Sequence, residues 1–283
     1  MRIFKNKTDL IAYADILKSE KKTLGFVPTM GALHEGHGSL ISKGLNENDV
    51  VFVSIFVNPT QFDNQEDLLK YPRTLASDVE LLATICEEKI IVYAPTVDDI
   101  YGDNVTSRSF SYDGLEHEME GRFRAGHFDG VGTIIKRLFE IVRPNRAYFG
   151  EKDFQQLMII KKLAEKHNIP VKVIGCEIYR TKDGLAMSSR NMRLKPEYRE
   201  AAPFIFKTLK TAKEKFGTKS AATVTDWVTK QFEKHSLLAL EYFIIADIKT
   251  LRTVTRKSNQ KPYRAFIAVY ADDIRLIDNI ALN

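Results

Sequence analysis

The sequence predicts an α/β chain with a Rossmann-like, doubly wound parallel sheet and a smaller C-terminal α+β domain. Three observations carry this. Five apolar, β-branched runs occur in the first 180 residues, and helical patterns separate them. After about residue 178 the order changes, with two helical patterns preceding three strand-like runs. Near-continuous apolar strands alternating with helices imply a parallel sheet covered on both faces, whereas helices followed by strands imply a separate α+β unit. The predicted domains are residues 1–178 and 179–283.

The first strand is TLGFVPT (23–29), which runs into PTMGALHEGH and a helical pattern over 36–45. The second is DVVFVSIFV (49–57), followed by a helical pattern over 75–88 and a third strand, KIIVYAP (89–95). A helix over 129–142 leads to RAYFG (146–150). The next pattern, 153–168, has Leu157, Ile160 and Leu163 at helical spacing and stops at Asn168, with Pro170 beyond. VKVIGCEI (171–178) completes the predicted sheet. Amphipathic helices over 196–216 and 220–235 then precede LEYFIIADI, AFIAVYA and IRLIDNIAL.

The composition is that of an ordinary globular protein: 283 residues, 44% hydrophobic and 28% charged. Charge is unevenly placed. Residues 1–176 hold 22 basic and 25 acidic side chains, and residues 177–283 hold 20 and 12. A basic C-terminal part is compatible with a polyphosphate or nucleic-acid partner, or with a solvated surface. Cys86 and Cys176 lie far apart without a C-x-x-C partner, which argues against a disulfide framework or zinc site and fits a reducing cytoplasm. The N-terminal MRIFKNKTDLIAYA lacks a signal-peptide core, and no run reaches the ~18 apolar residues of a membrane span.

Parallel sheets bind ligands at the C-terminal ends of their strands. Four predicted strand ends carry polar chemistry: PTMGALHEGH (28–37), NPTQF (58–62), EKDFQQ (151–156) and YRTKDGLAMSSRN (179–191). The expectation is that they converge on one crevice. His34 and His37, three apart, point the same way from a helix start. Zinc proteases space their histidines differently, and no third ligand is evident. A helix N-terminus instead offers free N–H groups and partial positive charge, which suits a phosphate.

The ordered set GFVPTMGALHEGH, SIFVNPTQF, YPRT, EGRFRAGHFDGV, YFGEKDFQQL, DGLAMSSRN and RLIDN closely resembles the pantothenate synthetase family, the pantoate–β-alanine ligases. HEGH (34–37) matches the HIGH-type motif of the wider nucleotidyltransferase superfamily. The resemblance implies ATP-dependent joining of pantoate to β-alanine through a pantoyl-adenylate, with release of AMP and pyrophosphate. It also implies Mg²⁺, a cytoplasmic homodimer, and a C-terminal domain closing over the nucleotide. With no dedicated carboxylate cage in the sequence, the metal is expected to ride mainly on the ATP phosphates. Without an RNA module or a membrane-spanning run in the sequence, neither a nucleic-acid nor a membrane partner is expected.

Residue by residue, the resemblance implies catalytic roles for His34, His37 and Lys152. ATP contacts fall on Met30, Gly31, Ala32, Leu33, His34, Glu35, Gly36 and His37, on Gly150, Glu151, Lys152 and Asp153, and on Met187, Ser188, Ser189 and Arg190. Gln61, Gln155 and Asn58 are the expected pantoate and β-alanine contacts. The chemistry fits. Imidazoles and an ammonium can stabilise charge developing on phosphate, and uncharged amides hold a carboxylate without quenching its nucleophilicity. Arg122 and Arg124 read either as support for the pantoate side or as surface ion pairs. Loop 180–190, with Gly184 and few apolar anchors, is expected to be mobile until ATP binds.

The sequence departs from the family at Gly38 and Ala125, and at Asp272, Asp273 and Ile274, where members often carry Gly, Lys or Thr. Two other readings stand beside the ligase. One is a HIGH-type nucleotidyltransferase acting on a different small acid. The other is an RNA-binding protein, prompted by the basic C-terminal part but lacking a recognisable RNA module.

Overall fold

The predicted parallel sheet has six strands rather than five. The computed structural model describes residues 1–62, 65–258 and 260–283. The chain begins with a short strand, β1 (Arg2–Phe4), and a helix, α1 (Lys7–Ser19), capped by the Asn6 side chain accepting from Asp9 N–H. There follow β2 (Leu24–Thr29), α2 (Glu35–Glu47), β3 (Val50–Ile55), α3 (Gln65–Lys70), α4 (Leu75–Cys86) and β4 (Ile90–Tyr93). Next come α5 (Val97–Tyr101), α6 (Glu120–Phe123), α7 (His127–Val142), β5 (Arg146–Gly150), α8 (Phe154–Lys166) and β6 (Lys172–Cys176).

The strand order is β1-β4-β3-β2-β5-β6, with every pair parallel. The chain winds outward from β2 to β3 and β4, then returns across β2 to β5 and β6. The switch point therefore lies between β2 and β5, where an open parallel sheet places its ligand crevice. Both faces are apolar, which explains the continuous runs. On one face Val27, Val51, Val53 and Val92 pack with Ile41 of α2 and Leu82 of α4. On the other, Phe26 and Phe149 meet Phe139 of α7 edge-on.

The second unit holds α9 (Pro196–Ala201), α10 (Phe204–Thr218), α11 (Ala221–Glu233), β7 (Leu238–Asp247), β8 (Tyr263–Ala271) and β9 (Ile274–Ala281). The single helix predicted over 196–216 is two helices, because Pro203 has no N–H to continue the first and starts the second. Its three strands form an antiparallel sheet in the order β7-β8-β9. Leu209, Phe216, Val224, Val228 and Phe232 of the helices pack with Ile245, Ile267, Val269 and Leu276 of the strands. Between β8 and β9 the chain turns through Asp272 at φ +57°, a left-handed conformation that Asp tolerates in tight hairpins. A glycine is therefore not required there.

The compact units are Met1–Glu151 with Gln155–Glu177, and Lys152–Phe154 with Ile178–Asn283. The three-residue stretch carrying Lys152 leaves the end of β5 yet groups with the antiparallel unit.

Candidate active site

The turn between β2 and α2 is bent by two consecutive left-handed residues, Gly31 (φ +85°) and Ala32 (φ +49°). At Gly31 a side chain would also press on Asp78 Oδ2 and Ile55 Cγ2, at 3.1 and 3.2 Å. The bend is held from within. Gly31 N–H donates to Thr29 Oγ1 (3.2 Å), Ala32 N–H to Asp78 Oδ2 (3.1 Å) and Leu33 N–H to Asp78 Oδ1 (2.7 Å). These three amides thus have protein acceptors, and the turn offers a ligand its shape and its side chains.

His34 is the N-cap of α2, and its N–H donates to His37 Nδ1 at 3.3 Å. The imidazole centroids lie 4.0 Å apart. Because Nδ1 of His37 is the acceptor, the neutral ring carries its proton on Nε2 and has a donor there. The predicted pairing of the two imidazoles at a helix start is present. Glu35 and Gly36 form the first turn of the same helix.

A second group sits past β3. Tyr101 O–H donates to Asn58 Oδ1 (2.6 Å), and burial pushes that phenol above its ordinary pKa, so it stays a donor. With Oδ1 so occupied, Asn58 Nδ2 donates to Gln61 Oε1 (3.1 Å) and to the Gly130 carbonyl (3.3 Å). Gln61 Nε2 is left facing Met30 Sδ at 3.1 Å. Asn58 is almost wholly buried, and this chain of donors orients both amides. Met30, Asn58 and Gln61, from two strand ends, are therefore in contact. A thioether is a weak acceptor, so the Gln61 donor has much to gain from a carboxylate.

His127 holds the same turn from α7. Its Nε2 faces Arg124 Nη1 (3.1 Å), a donor, so its Nδ1–H donates to the Gln61 carbonyl (2.8 Å). Arg122 instead pairs with Glu118 on the surface. Gln155, 4% exposed, spends both amide protons on the carbonyls of Leu115 (2.8 Å) and Glu118 (2.7 Å), and its Oε1 accepts from Glu120 N–H (3.0 Å). That side chain organises the 115–120 turn, and only an Oε1 lone pair remains to receive a hydroxyl.

In the second unit, Lys152 Nζ lies 3.6 Å from Asp153 Oδ1, and its side chain is 17% exposed. Asp153 ends a 3₁₀ turn begun by Glu151 after Gly150. Asn279 of β9 donates through Nδ2 to the Lys152 carbonyl at 2.9 Å. The segment after β6 is more anchored than its composition implies. Arg180 makes a bidentate pair with buried Asp278 at 2.6 and 2.8 Å and stacks on Phe206, and Leu185 and Ala186 are buried. Loop 180–190 therefore has apolar anchors, contrary to the expectation from its composition. Met187 N–H donates to the Tyr179 carbonyl, and Ser188 Oγ caps a 3₁₀ turn over Ser189–Arg193 by accepting from Arg190 N–H.

Several residues that build these groups escaped the sequence reading: Asp78, Tyr101, His127, Gly130 and Asn279. Only the DN of RLIDN and the HFDG of EGRFRAGHFDGV signalled any of them, as motif residues without a role. Among the described residues no three His, Cys, Asp or Glu side chains gather as a metal cage, and no helix is long and apolar enough to cross a membrane.

The family model described as pantoate-beta-alanine ligase matches residues 2–281. The chain is 59% identical over 282 residues to the pantothenate synthetase of Flavobacterium psychrophilum, covering 100% of both chains. The crystal structure of pantothenate synthetase from Thermus thermophilus superposes with a TM-score of 0.91 at 36% identity, covering 100% of this chain and 99% of that one. A Francisella tularensis pantoate-beta-alanine ligase, complexed with beta-gamma ATP and beta-alanine, superposes with a TM-score of 0.82 at 36% identity, covering 100% and 98%.

Proposed function

The chain belongs to the pantoate-beta-alanine ligase family, and from that premise we infer that it condenses pantoate with β-alanine in an ATP-dependent reaction that yields AMP and pyrophosphate. The observation that carries the assignment of roles is the Met30–Gln61–Asn58 chain, which leaves a carboxamide donor resting on a thioether beside the sheet's switch point. Gln61 Nε2 takes the pantoate carboxylate, Gln155 Oε1 receives a pantoate hydroxyl, and Asn58 fixes the Gln61 amide, with β-alanine entering near Gln61.

A pantoate carboxylate oxygen attacks the α-phosphorus of MgATP. The bond from that phosphorus to its bridging oxygen breaks, and pyrophosphate leaves. His37 Nε2–H, with His34, donates to phosphate oxygens as charge builds, and the Lys152 ammonium neutralises charge on the phosphates. Met30–Leu33 shape the nucleotide entry, while Gly150–Asp153 and Met187–Arg190 contact ATP. The β-alanine amine then attacks the acyl carbon, the acyl–oxygen bond breaks, and AMP leaves with that oxygen while the amine proton passes to solvent. The magnesium enters as part of the nucleotide substrate. We take the working form to be a cytoplasmic homodimer of two-domain subunits divided near residue 178, as the family resemblance implies; the unpaired thiols of Cys86 and Cys176 support a reducing compartment.

The test is isotopic. Pantoate alone supports exchange of labelled pyrophosphate into ATP, and ¹⁸O from the pantoate carboxylate appears in AMP after turnover. ADP as product, or label retained wholly in the amide product, overturns the mechanism.

A further inference from the structure

We propose that Asp78 is a positioning residue for the His34–His37 pair, acting through the backbone of Ala32 and Leu33. The inference rests on the roles given above to the two histidines. Asp78 lies on the first turns of α4, some 45 residues from the motif it serves, and is 2% exposed. Its two carboxylate oxygens accept three hydrogen bonds: Leu33 N–H (2.7 Å) and Thr74 O–H (3.2 Å) at Oδ1, and Ala32 N–H (3.1 Å) at Oδ2. A buried carboxylate is costly unless its lone pairs are filled, so a desolvated Asp here commits both amides to one geometry.

That geometry is strained without it. Ala32 is a non-glycine residue at φ +49°, a conformation disfavoured for L-residues and kept only where surroundings impose it. Two successive N–H groups turned onto one carboxylate are that imposition. The next residue, His34, is the N-cap whose N–H holds His37 Nδ1 and so sets the Nε2–H tautomer. A change in the path of residues 32–33 therefore reaches both imidazoles at once. Thr74, the N-cap of α4, holds the carboxylate in turn.

Asp78→Asn keeps the shape but places an NH₂ group against a backbone N–H. Thr74→Val is the milder second variant and removes only the hydroxyl that holds the carboxylate. Three readouts on the full-length protein, well below each variant's melting temperature, separate positioning from mere stability. Pantoate-dependent pyrophosphate–ATP exchange falls at least about tenfold in Asp78→Asn and less in Thr74→Val, as misplacement of reacting groups does. Conversion of chemically synthesised pantoyl-adenylate and β-alanine to the amide stays within twofold of wild type. Imidazole ¹⁵N shifts of His37 report one Nε2–H tautomer in wild type and a mixture in Asp78→Asn; should that variant not fold, Thr74→Val is read the same way. Exchange within twofold of wild type, an equal loss in both half-reactions, or an unaltered His37 tautomer overturns the proposal. Absence of exchange in the wild-type enzyme would instead overturn the underlying functional reading, and the NMR arm would still decide the role of Asp78.

Discussion

Asn279 donates its side-chain amide to the carbonyl of Lys152 at 2.9 Å, so the ammonium assigned to the nucleotide phosphates is mounted on strand β9, 127 residues away. The turn also carries Phe154, whose ring contacts Phe266 and is overlain by Arg264. If Asn279 acts through Lys152, their losses are not additive. Lys152→Ala is expected to lower turnover at least about a hundredfold. Asn279→Leu is expected to lower it about tenfold. The double variant is expected to match Lys152→Ala alone, and steady-state kinetics of the three purified proteins decides it.

Gly130 of α7 faces the turn that carries Gln61. A Cβ there would stand 2.2 Å from the Thr60 carbonyl oxygen and 2.7 Å from Gln61 Cα, both backbone atoms that cannot rotate away. Gly130→Ala is expected to destabilise by about 1–3 kcal/mol as an overpacked site and to raise the KM for pantoate more than that for ATP. Urea unfolding and paired KM measurements test this. Unchanged pantoate KM in a destabilised variant would detach Gln61 from that substrate.

Gly38 offers the opposite case. It stands inside α2, where a Cβ would meet only Ile85 Cδ1 at 3.4 Å, an ordinary contact. Gly38→Ala is therefore expected to stabilise by about 0.5–1 kcal/mol through helix propensity and a less flexible unfolded chain. A rise in the denaturation midpoint at unchanged slope is the expected signature. A lower midpoint would show that Ile85 cannot accommodate the methyl.

Asp183 supplies a pH test within the antiparallel unit. Its hydrogen bond from Arg199 (2.7 Å), aided by Thr181 and by Leu185 N–H, holds its carboxyl down to about 2. The folded-state value is below the unfolded one, so this stabilisation is complete above about pH 4 and is lost as pH falls toward 2. The side chain is 44% exposed, and solvent screening limits the effect to below about 1 kcal/mol. The stability difference between wild type and Asp183→Asn is expected to be present at pH 5 and to shrink through pH 3. A constant difference over that interval would mean that Arg199 does not recognise the ionised form.

Buried strands and strand-end motifs were legible in the chain because burial on both faces of a parallel sheet writes itself as consecutive apolar residues. The runs at 23–29, 49–57, 89–95, 146–150 and 171–178 each contain a strand, and the strand-end motifs sufficed for the family. β1, three residues long and exposed or half-buried, leaves no such trace. α1 is written differently, as Leu10, Ala14 and Leu17 at helical spacing behind the Asn6 cap, although no helix was expected there. The pairing of His34 with His37 was also readable, since helical spacing alone brings them together.

Tertiary structure alone decided what orients those residues. Asp78 meets Leu33 across 45 positions, Asn279 meets Lys152 across 127, and His127 meets the Gln61 carbonyl across 66. It also decided that both Gln155 amide protons are committed to the 115–120 turn and that Leu185 and Ala186 anchor a segment whose composition reads as loose. Periodicity and capping are set by neighbours within a turn or a pleat, so they are written locally. A hydrogen-bond partner far along the chain is chosen by which backbone groups the packed core brings within 3 Å and strips of water, and local sequence does not encode that choice.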